Sequence, residues 1–456
     1  MEQKLPPALL ESLRSIKDLD VDAFIAVHEK NDPPVSIRLN PFKSSTAFAN
    51  EEKISWCESG RYLKSRPSFT IDPLFQAGCY YVQEASSMFI EYVIKQVVDI
   101  TKPIRVLDLC AAPGGKSTLI ASLLSEESLL IANEVIKTRV NILSENLVKW
   151  GNSNVFITNN DPADFARLKN YFDVILVDAP CSGSGLFRKD PDAIKEWSEE
   201  NVNTCWQRQQ RILTDVIPSL KENGILIYST CSYSKNENEE MADWMVENLS
   251  LENVKISLKE QMGIVESFSV KHKAQGFRFY PHKLKGEGFY CSCFRKTSGE
   301  EIPKMKQASF KTISSSEKNI LEKWVKDPKQ YIFFKHEEDI LAIRNEHEKD
   351  LPFIQQNLYL RKAGIKIGRI MNSELIPDHQ LAMSLMMNDS IPKINVDKET
   401  ALKYLKREDL KMPEAKIGWT LICFEKHPLG WAKILPNRVN NYFPKELRIL
   451  KRIEEF

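Results

Sequence analysis

From Ile104 onward the chain alternates short apolar runs with amphipathic stretches. The runs are "IRVLDLC" (104–110), "SLLIANEV" (128–135), "NVFITNN" (154–160), "FDVILVDAP" (172–180) and "GILIYSTC" (224–231). Apolar residues sit at consecutive positions rather than alternate ones, which is the pattern of strands covered on both faces. Between them, "KTRVNILSENLVKWG" (137–151) sets Val140, Leu143, Leu147 and Trp150 at spacings of three and four, and Gly151 supplies a stop. Buried strands alternating with helices predict an α/β fold with a parallel, doubly wound sheet. The alternation runs to residue 297, ending in the aromatic "GEGFYCSCFRK".

The flanks read differently. Residues 1–70 mix short helical patterns with a basic extended piece, "VSIRLNPFK", and form an N-terminal extension ahead of a main domain at 71–297. The polar stretch around 298–315, punctuated by Gly, Pro and Ser, reads as a linker. A helix beginning near Ser316 opens a middle region, 316–390, and residues 391–456 carry short strands and turns that suggest a small β-rich module.

Composition narrows the setting. A chain of 456 residues, 42% apolar and 27% charged, is ordinary globular protein, and a net charge of +1 restricts any nucleic-acid surface to a local patch. Nine cysteines without paired spacing do not form a disulfide framework. The amphipathic, charged start lacks a signal-peptide core, and no run of about 18 uncharged apolar residues suggests a membrane span. A monomer in the reducing cytoplasm is the expectation.

"RVLDLCAAPGGKST" places a Gly-rich turn between a strand and a helix. A P-loop would need Gly at position 110, which is Cys110, and the dinucleotide fingerprint G-x-G-x-x-G is absent. The turn Cys110, Ala111, Ala112, Pro113, Gly114, Gly115, Lys116 therefore suits a ligand that packs against it without a pyrophosphate, such as S-adenosylmethionine. Glu134, 19 residues past Gly115, is placed to accept from both ribose hydroxyls. Asp161, at the end of the third strand, can take the exocyclic amine of adenine. Taken singly, either carboxylate could equally be a helix cap.

The fourth and fifth runs deliver "DAPC" and "STCSY". Ligands in an open parallel sheet sit beyond the carboxyl ends of the strands, so Cys181 and Cys231 share a cleft if their strands are neighbours. Cys57, Cys79, Cys205, Cys291, Cys293 and Cys423 read instead as small buried hydrophobes, and no metal site is expected. A thiol beside a methyl donor has a specific use. Carbon-5 of cytosine is a poor nucleophile until a thiolate adds to carbon-6, and a second group near the base can then assist release. Asp178 is placed to hold or protonate the cytosine edge, and Gly and Ser after Cys181 suggest room for a nucleotide.

These segments, "LDLCAAPGGKST", "DAPCSGSGLFRKDPD" and "LIYSTCSYSKNENEE", resemble the Sun (Fmu) family of RNA cytosine carbon-5 methyltransferases. "AGCYYVQEASSM" and "RFYPHKLKGEGFYCSCFRK" are also similar to family segments. The resemblance spans roughly residues 30–297 and implies a class I Rossmann-like methyltransferase using S-adenosylmethionine. By the same resemblance, Cys231 is the nucleophile and Cys181 promotes product release. Cys110 to Lys116, Glu134, Asp161 and Asp178 line the cofactor site, with Lys116 close to the reacting base. The C-terminal third, including "GWTLICFEKHPLGWAKILPNRVNNYFPKELR", resembles the small-subunit ribosomal RNA branch of the family, which ends in a PUA-like RNA-binding module.

Two basic stretches fit an RNA partner. Residues 271–296 hold seven Lys/Arg against one acid, and residues 397–456 hold 13 against nine. Interleaved aromatics would add base stacking to phosphate contact. Ribosomal RNA is the favoured substrate and transfer RNA the alternative. DNA is not expected. A non-catalytic assembly factor would have lost a thiol or the cofactor turn, and this chain keeps both.

Overall fold

The computed structural model describes residues 4–16, 19–259, 261–299, 312–412 and 415–450. Residues 300–311, most of the expected linker, lie outside the described residues.

Ten strands build the central sheet. In chain order they are β1 (Arg105–Asp108), β2 (Leu129–Asn133), β3 (Val155–Thr158), β4 (Phe172–Asp178), β5 (Leu220–Thr230), β6 (Leu251–Asn253), β7 (Val265–Phe268), β8 (Gln275–Phe279), β9 (Phe289–Lys296) and β10 (Leu360–Ala363). Their spatial order is β7-β8-β9-β5-β4-β1-β2-β3-β10, with β6 beside β9. The five apolar runs became β1 to β5, which pair parallel in the order β3-β2-β1-β4-β5. This is the doubly wound order, with its switch point between β1 and β4.

The sheet is mixed, not purely parallel. β7, β8 and β9 form an antiparallel wing beside β5, and β10 closes the opposite edge antiparallel to β3. β10 comes from beyond residue 297, outside the alternating pattern. Its sequence, "LRKA", is short and half polar because it only covers an edge.

Helices α1 (Gly115–Leu123), α2 (Lys137–Trp150), α3 (Glu199–Val216) and α4 (Glu239–Asn248) flank the sheet. Alternate residues of each strand feed opposite layers. Val106, Leu130, Leu176 and Ile227 pack with Leu119, Val140, Leu147 and Trp150 on one side. Leu107, Ile131, Val177 and Leu226 pack with Ile212, Leu213, Met241 and Met245 on the other. α2 stops at Gly151, whose φ of 102° is the left-handed conformation that the stop requires.

The N-terminal segment contributes two helices, Pro7–Arg14 and Val21–Lys30, and a four-stranded antiparallel sheet from residues 35–39, 52–54, 57–63 and 80–82. Two further four-stranded sheets follow β9. One uses residues 331–336, 339–344, 365–371 and 374–377, and the other residues 393–396, 418–424, 427–435 and 438–441. The helix expected near Ser316 spans Ser315–Leu321 and opens with a Ser314/Glu317 capping box. Among the described residues no helix is long and apolar enough to cross a membrane.

Arg38 ties the N-terminal sheet to the helices behind the Gly-rich turn. Its Nε donates to Gln83 Oε1 at 2.8 Å and its Nη2 to Thr118 Oγ1 at 2.6 Å and the Gly115 carbonyl at 3.3 Å. The guanidinium also lies 4.5 Å over the Trp150 ring. Burial lowers its pKa to about 10, and the nearby Cys57 and Glu91 offset only part of the lost hydration. Arg38→Met keeps the stem but orphans buried acceptors, each costing about 1–3 kcal/mol. We therefore expect roughly 2–4 kcal/mol of lost stability, read as a lower midpoint in urea.

Candidate active site

The site begins with strand register. β4 and β5 run parallel with Asp178 opposite Ser229. Both chains then leave the sheet at the same end, and Cys181 Sγ stands 3.1 Å from Cys231 Sγ. Gly185 N–H donates to the Cys231 carbonyl at 2.8 Å, and Gly288 N–H donates to the Gly185 carbonyl at 3.0 Å. A Cβ on Gly185 would stand 2.5 Å from the Gly288 carbonyl oxygen. Gly185 is therefore a point of backbone-to-backbone packing, not spare room for a nucleotide. Space remains at Gly183, where an added Cβ would meet nothing within 4 Å.

Lys116 Nζ donates to Asp178 Oδ2 at 2.7 Å, and Ser229 Oγ donates to Asp178 Oδ1 at 2.7 Å. Both Asp178 oxygens thus act as acceptors, which suits a carboxylate that orients Lys116 better than an acid with a proton to give. Burial opposes the Lys116 charge, but adjacent Asp178 outweighs it and raises the lysine pKa. The hydrogen bond to Cys231, followed by burial, raises the Cys181 thiol well above its usual value.

The Gly-rich turn is held by its backbone. Ala111 N–H donates to the Asn133 carbonyl at 2.8 Å, Arg139 Nη2 to the Ala112 carbonyl at 2.6 Å and Asn146 Nδ2 to the Pro113 carbonyl at 2.8 Å. The Ala112–Pro113 bond is cis, and Gly114 at φ 113° starts α1. Cys110 is largely enclosed, and burial raises its pKa.

Glu134 follows β2 directly and is buried. Its Oε1 accepts from Ile136 N–H at 2.9 Å, and Arg139 Nη1 lies 3.4 Å from its Oε2. Asp178 and Glu134 lie close enough to Asp108 and Cys110 to add to the rise that burial gives those two groups. Asp161 does not enter that set. It sits three residues past β3, caps Ala163 N–H at 3.1 Å and pairs with Arg211 at 3.0 Å. As the structure stands, its partners are those of a loop carboxylate.

The remaining cysteines behave as expected: Cys57, Cys79, Cys205, Cys291, Cys293 and Cys423 are buried. The basic stretch 271–296 does not form the patch its charge count suggested. Arg278 is buried against Glu239, and Lys296 donates to the Ile217 and Leu220 carbonyls at 3.0 and 2.7 Å. Lys271 and Lys285 pair with Glu247 and Glu52.

Sequence reasoning missed Asp108, Ser229, Arg139 and Asn133. Asp108 did carry a signal, an acid inside an apolar strand, which burial makes expensive unless it is protonated or bonded. Ser117 Oγ donates to its Oδ2 at 2.6 Å, while its Oδ1 has no partner.

Doubly wound strand order, a Gly-rich turn between β1 and α1 and two thiols beyond the carboxyl ends of β4 and β5 define a methyltransferase of the Rossmann-like class. A crystal structure of a methyltransferase homolog from Pyrococcus horikoshii shares the fold, at 27% identity and a TM-score of 0.52, covering 64% of this chain and all of that one. The profile for 16S rRNA methyltransferase RsmB/F matches residues 96–295. That for the N-terminal domain of 16S rRNA methyltransferase RsmF matches 5–85, and that for the RsmF PUA domain matches 391–449. The chain belongs to this RsmB/F family and is an RNA methyltransferase. Ribosomal RNA small subunit methyltransferase F of Vibrio vulnificus is 29% identical over 97% of each chain. The Escherichia coli O127:H6 protein of that name is also 29% identical, over 97% of this chain and 96% of its own.

Asp108 gives the site a pH signature. Burial, eased by the Ser117 hydrogen bond, pushes its pKa from 3.8 up to about 7. The folded state therefore holds a proton that the unfolded chain has already lost over this range. Its stabilisation is fully present below the unfolded value and disappears as pH rises through the folded one. Asp108→Asn removes that dependence. Denaturant titrations at about pH 5 and about pH 8 should show the wild type losing more stability than the variant as pH rises.

Proposed function

We propose that the protein methylates carbon-5 of a cytosine in small-subunit ribosomal RNA, through a covalent bond from Cys231 to carbon-6. The observation that carries this reading is the thiol pair, 3.1 Å apart at the carboxyl ends of neighbouring strands. The donor is S-adenosylmethionine, which supplies an electrophilic methyl group on a sulfonium. The residues present fit it. Gly114 in the left-handed conformation tightens the turn Cys110–Lys116, and Glu134 is a carboxylate suited to ribose hydroxyls. Asp178 lines the same cleft. Asp161, half exposed, takes the adenine amine once its pair with Arg211 opens.

Cys231 Sγ would attack carbon-6 and shift an electron pair to carbon-5, making it nucleophilic toward the methyl group, whose bond to the sulfonium would break with its electron pair left on that sulfur. Cys181 stands within hydrogen-bond distance of the attacking sulfur, at 3.1 Å. Lys116, held by its hydrogen bond to Asp178, is the cation this reading assigns to the base edge. Loss of the carbon-5 proton to a base returns electrons toward the ring and breaks the sulfur–carbon bond. The Cys181 S–H is placed to hydrogen-bond the departing thiolate. Carbon-6 is inaccessible in a stacked helix, so the target base is unpaired or flipped out. Nine free cysteines suit a single chain working in a reducing cytoplasm.

Two variants test the assignment. Cys231→Ala should abolish methyl transfer and form no covalent complex. Cys181→Ala should leave protein attached to RNA, seen as a slow band on denaturing gels. Trapping by Cys231→Ala instead would exchange the two roles. Labelled methyl transfer to small subunits, free ribosomal RNA and transfer RNA in parallel should favour the first two.

A further inference from the structure

Among the described residues, Glu237 is the one wholly buried acid that touches both thiol loops, and the covalent reading above gives it no role. It precedes α4 and is fully enclosed. Its Oε1 accepts from Ser182 N–H at 2.8 Å and from Gln209 Nε2 at 3.1 Å. Its Oε2 accepts from Ser182 Oγ at 2.6 Å and from Ser232 Oγ at 2.5 Å. Ser182 is the residue after Cys181, and Ser232 is the residue after Cys231. One carboxylate therefore holds the position next to each thiol.

The geometry repeats itself one residue along. The thiols stand 3.1 Å apart, and so do the Ser182 and Ser232 hydroxyls behind them. Gln209 extends the hold, because its Nε2 also donates to the Pro180 carbonyl at 3.1 Å while Tyr228 OH donates to its Oε1 at 3.0 Å. The four donors reaching Glu237 are neutral. Enclosing an acid with no cation on it is expensive, and here each donor offsets part of that cost while fixing a loop.

We propose that Glu237 is the positioning residue that sets the distance between the attacking and releasing thiols. It touches no reacting atom. Its oxygens hold the backbone N–H and hydroxyl behind Cys181 and the hydroxyl behind Cys231, so each loop's placement depends on the other's. This inference rests on the covalent reading of the two cysteines.

Two consequences separate positioning from mere structure. Glu237→Gln replaces one acceptor oxygen with an NH2 donor facing the loops, so at least one loop loses its hold. A misplacement of about 1 Å costs a reaction on the order of 100-fold. Loosening a single loop should then give opposite phenotypes. Ser232→Ala frees the Cys231 side and should slow adduct formation. Ser182→Ala removes the hydroxyl contact and leaves only the backbone N–H on the Cys181 side, so it should slow release and let adduct accumulate in a protein with both thiols present.

The test uses the full-length protein, S-adenosylmethionine and unmethylated small-subunit ribosomal RNA, with Cys231→Ala and Cys181→Ala run alongside. Single-turnover methyl transfer by Glu237→Gln should fall about 100-fold, with RNA affinity held within about three-fold of wild type. Glu240→Gln, exposed on the same helix, should match wild type. Should Glu237→Gln fail to fold, the two serine variants decide, since only a positioning role predicts adduct lost in one and gained in the other. Wild-type turnover by Glu237→Gln, or the same adduct yield from both serine variants, overturns the proposal. Undiminished turnover by Cys231→Ala would instead overturn the covalent reading beneath it.

Discussion

The chemistry of the site depends on the register at which β5 lies along β4. Asp178 stands opposite Ser229 in a parallel pair, so three residues beyond one and two beyond the other bring the thiols to 3.1 Å. A slip of one residue would move a thiol by about 3.3 Å and turn every side chain of the strand to the opposite face. What forbids the slip is apolar packing. Val174 and Leu176 of β4 belong to one layer with Ile225 and Ile227 of β5, whereas Ile175 and Val177 belong to the other with Leu226 and Tyr228. Both layers are filled, so neither strand can shift alone without burying the wrong set. Two cores that do no chemistry thus fix a distance between sulfur atoms.

Burial also decides how much charge the site carries. By residue type it holds Asp108, Glu134, Asp178 and three thiols against Lys116 and Arg139. Enclosure raises Asp108 to about 7 and pushes the Cys110 thiol upward, and the hydrogen bond to Cys231, followed by burial, does the same for Cys181. A cleft lined with carboxylates and thiolates would repel an RNA backbone. With Asp178 neutralised by Lys116, the negative charge is confined to few positions.

The parallel core was legible because strands buried on both faces need unbroken apolar runs, and α2 because its apolar stripe ends at Gly151. The thiols were legible because each follows such a run. β10 was not, since a four-residue edge strand leaves no pattern of its own. Glu237 was hidden for a different reason. It lies in "SKNENEE", which resembles a solvated charge run, and its burial depends on Ser182 and Gln209, 55 and 28 residues away. The basic stretch 271–296 misled in the reverse direction, because sequence counts charges without showing that Arg278 and Lys296 point inward. Asp161 shows how little a position in a chain says about a carboxylate's partners, since Arg211 arrives from α3.

The flanking segments are built into the core, not hung from it. Asn40 Nδ2 donates to the Trp150 carbonyl at 3.1 Å, and Lys43 Nζ donates to the Lys149 carbonyl at 2.6 Å. From the C-terminal side, Leu385 N–H donates to the Gly151 carbonyl at 3.0 Å. The end of α2 is therefore where both flanks meet the helix that begins beside the cofactor turn. A shared apolar cluster joins them as well, placing Ile37, Leu74 and Tyr80 against Leu405, Ile422 and Leu429. Modules joined by packed apolar surface hold a fixed relation, whereas modules on a tether do not. RNA gripped by the C-terminal module would then meet the thiols at a distance and angle set by this junction. The placement of the C-terminal module relative to the thiols is thus set by packing at the end of α2.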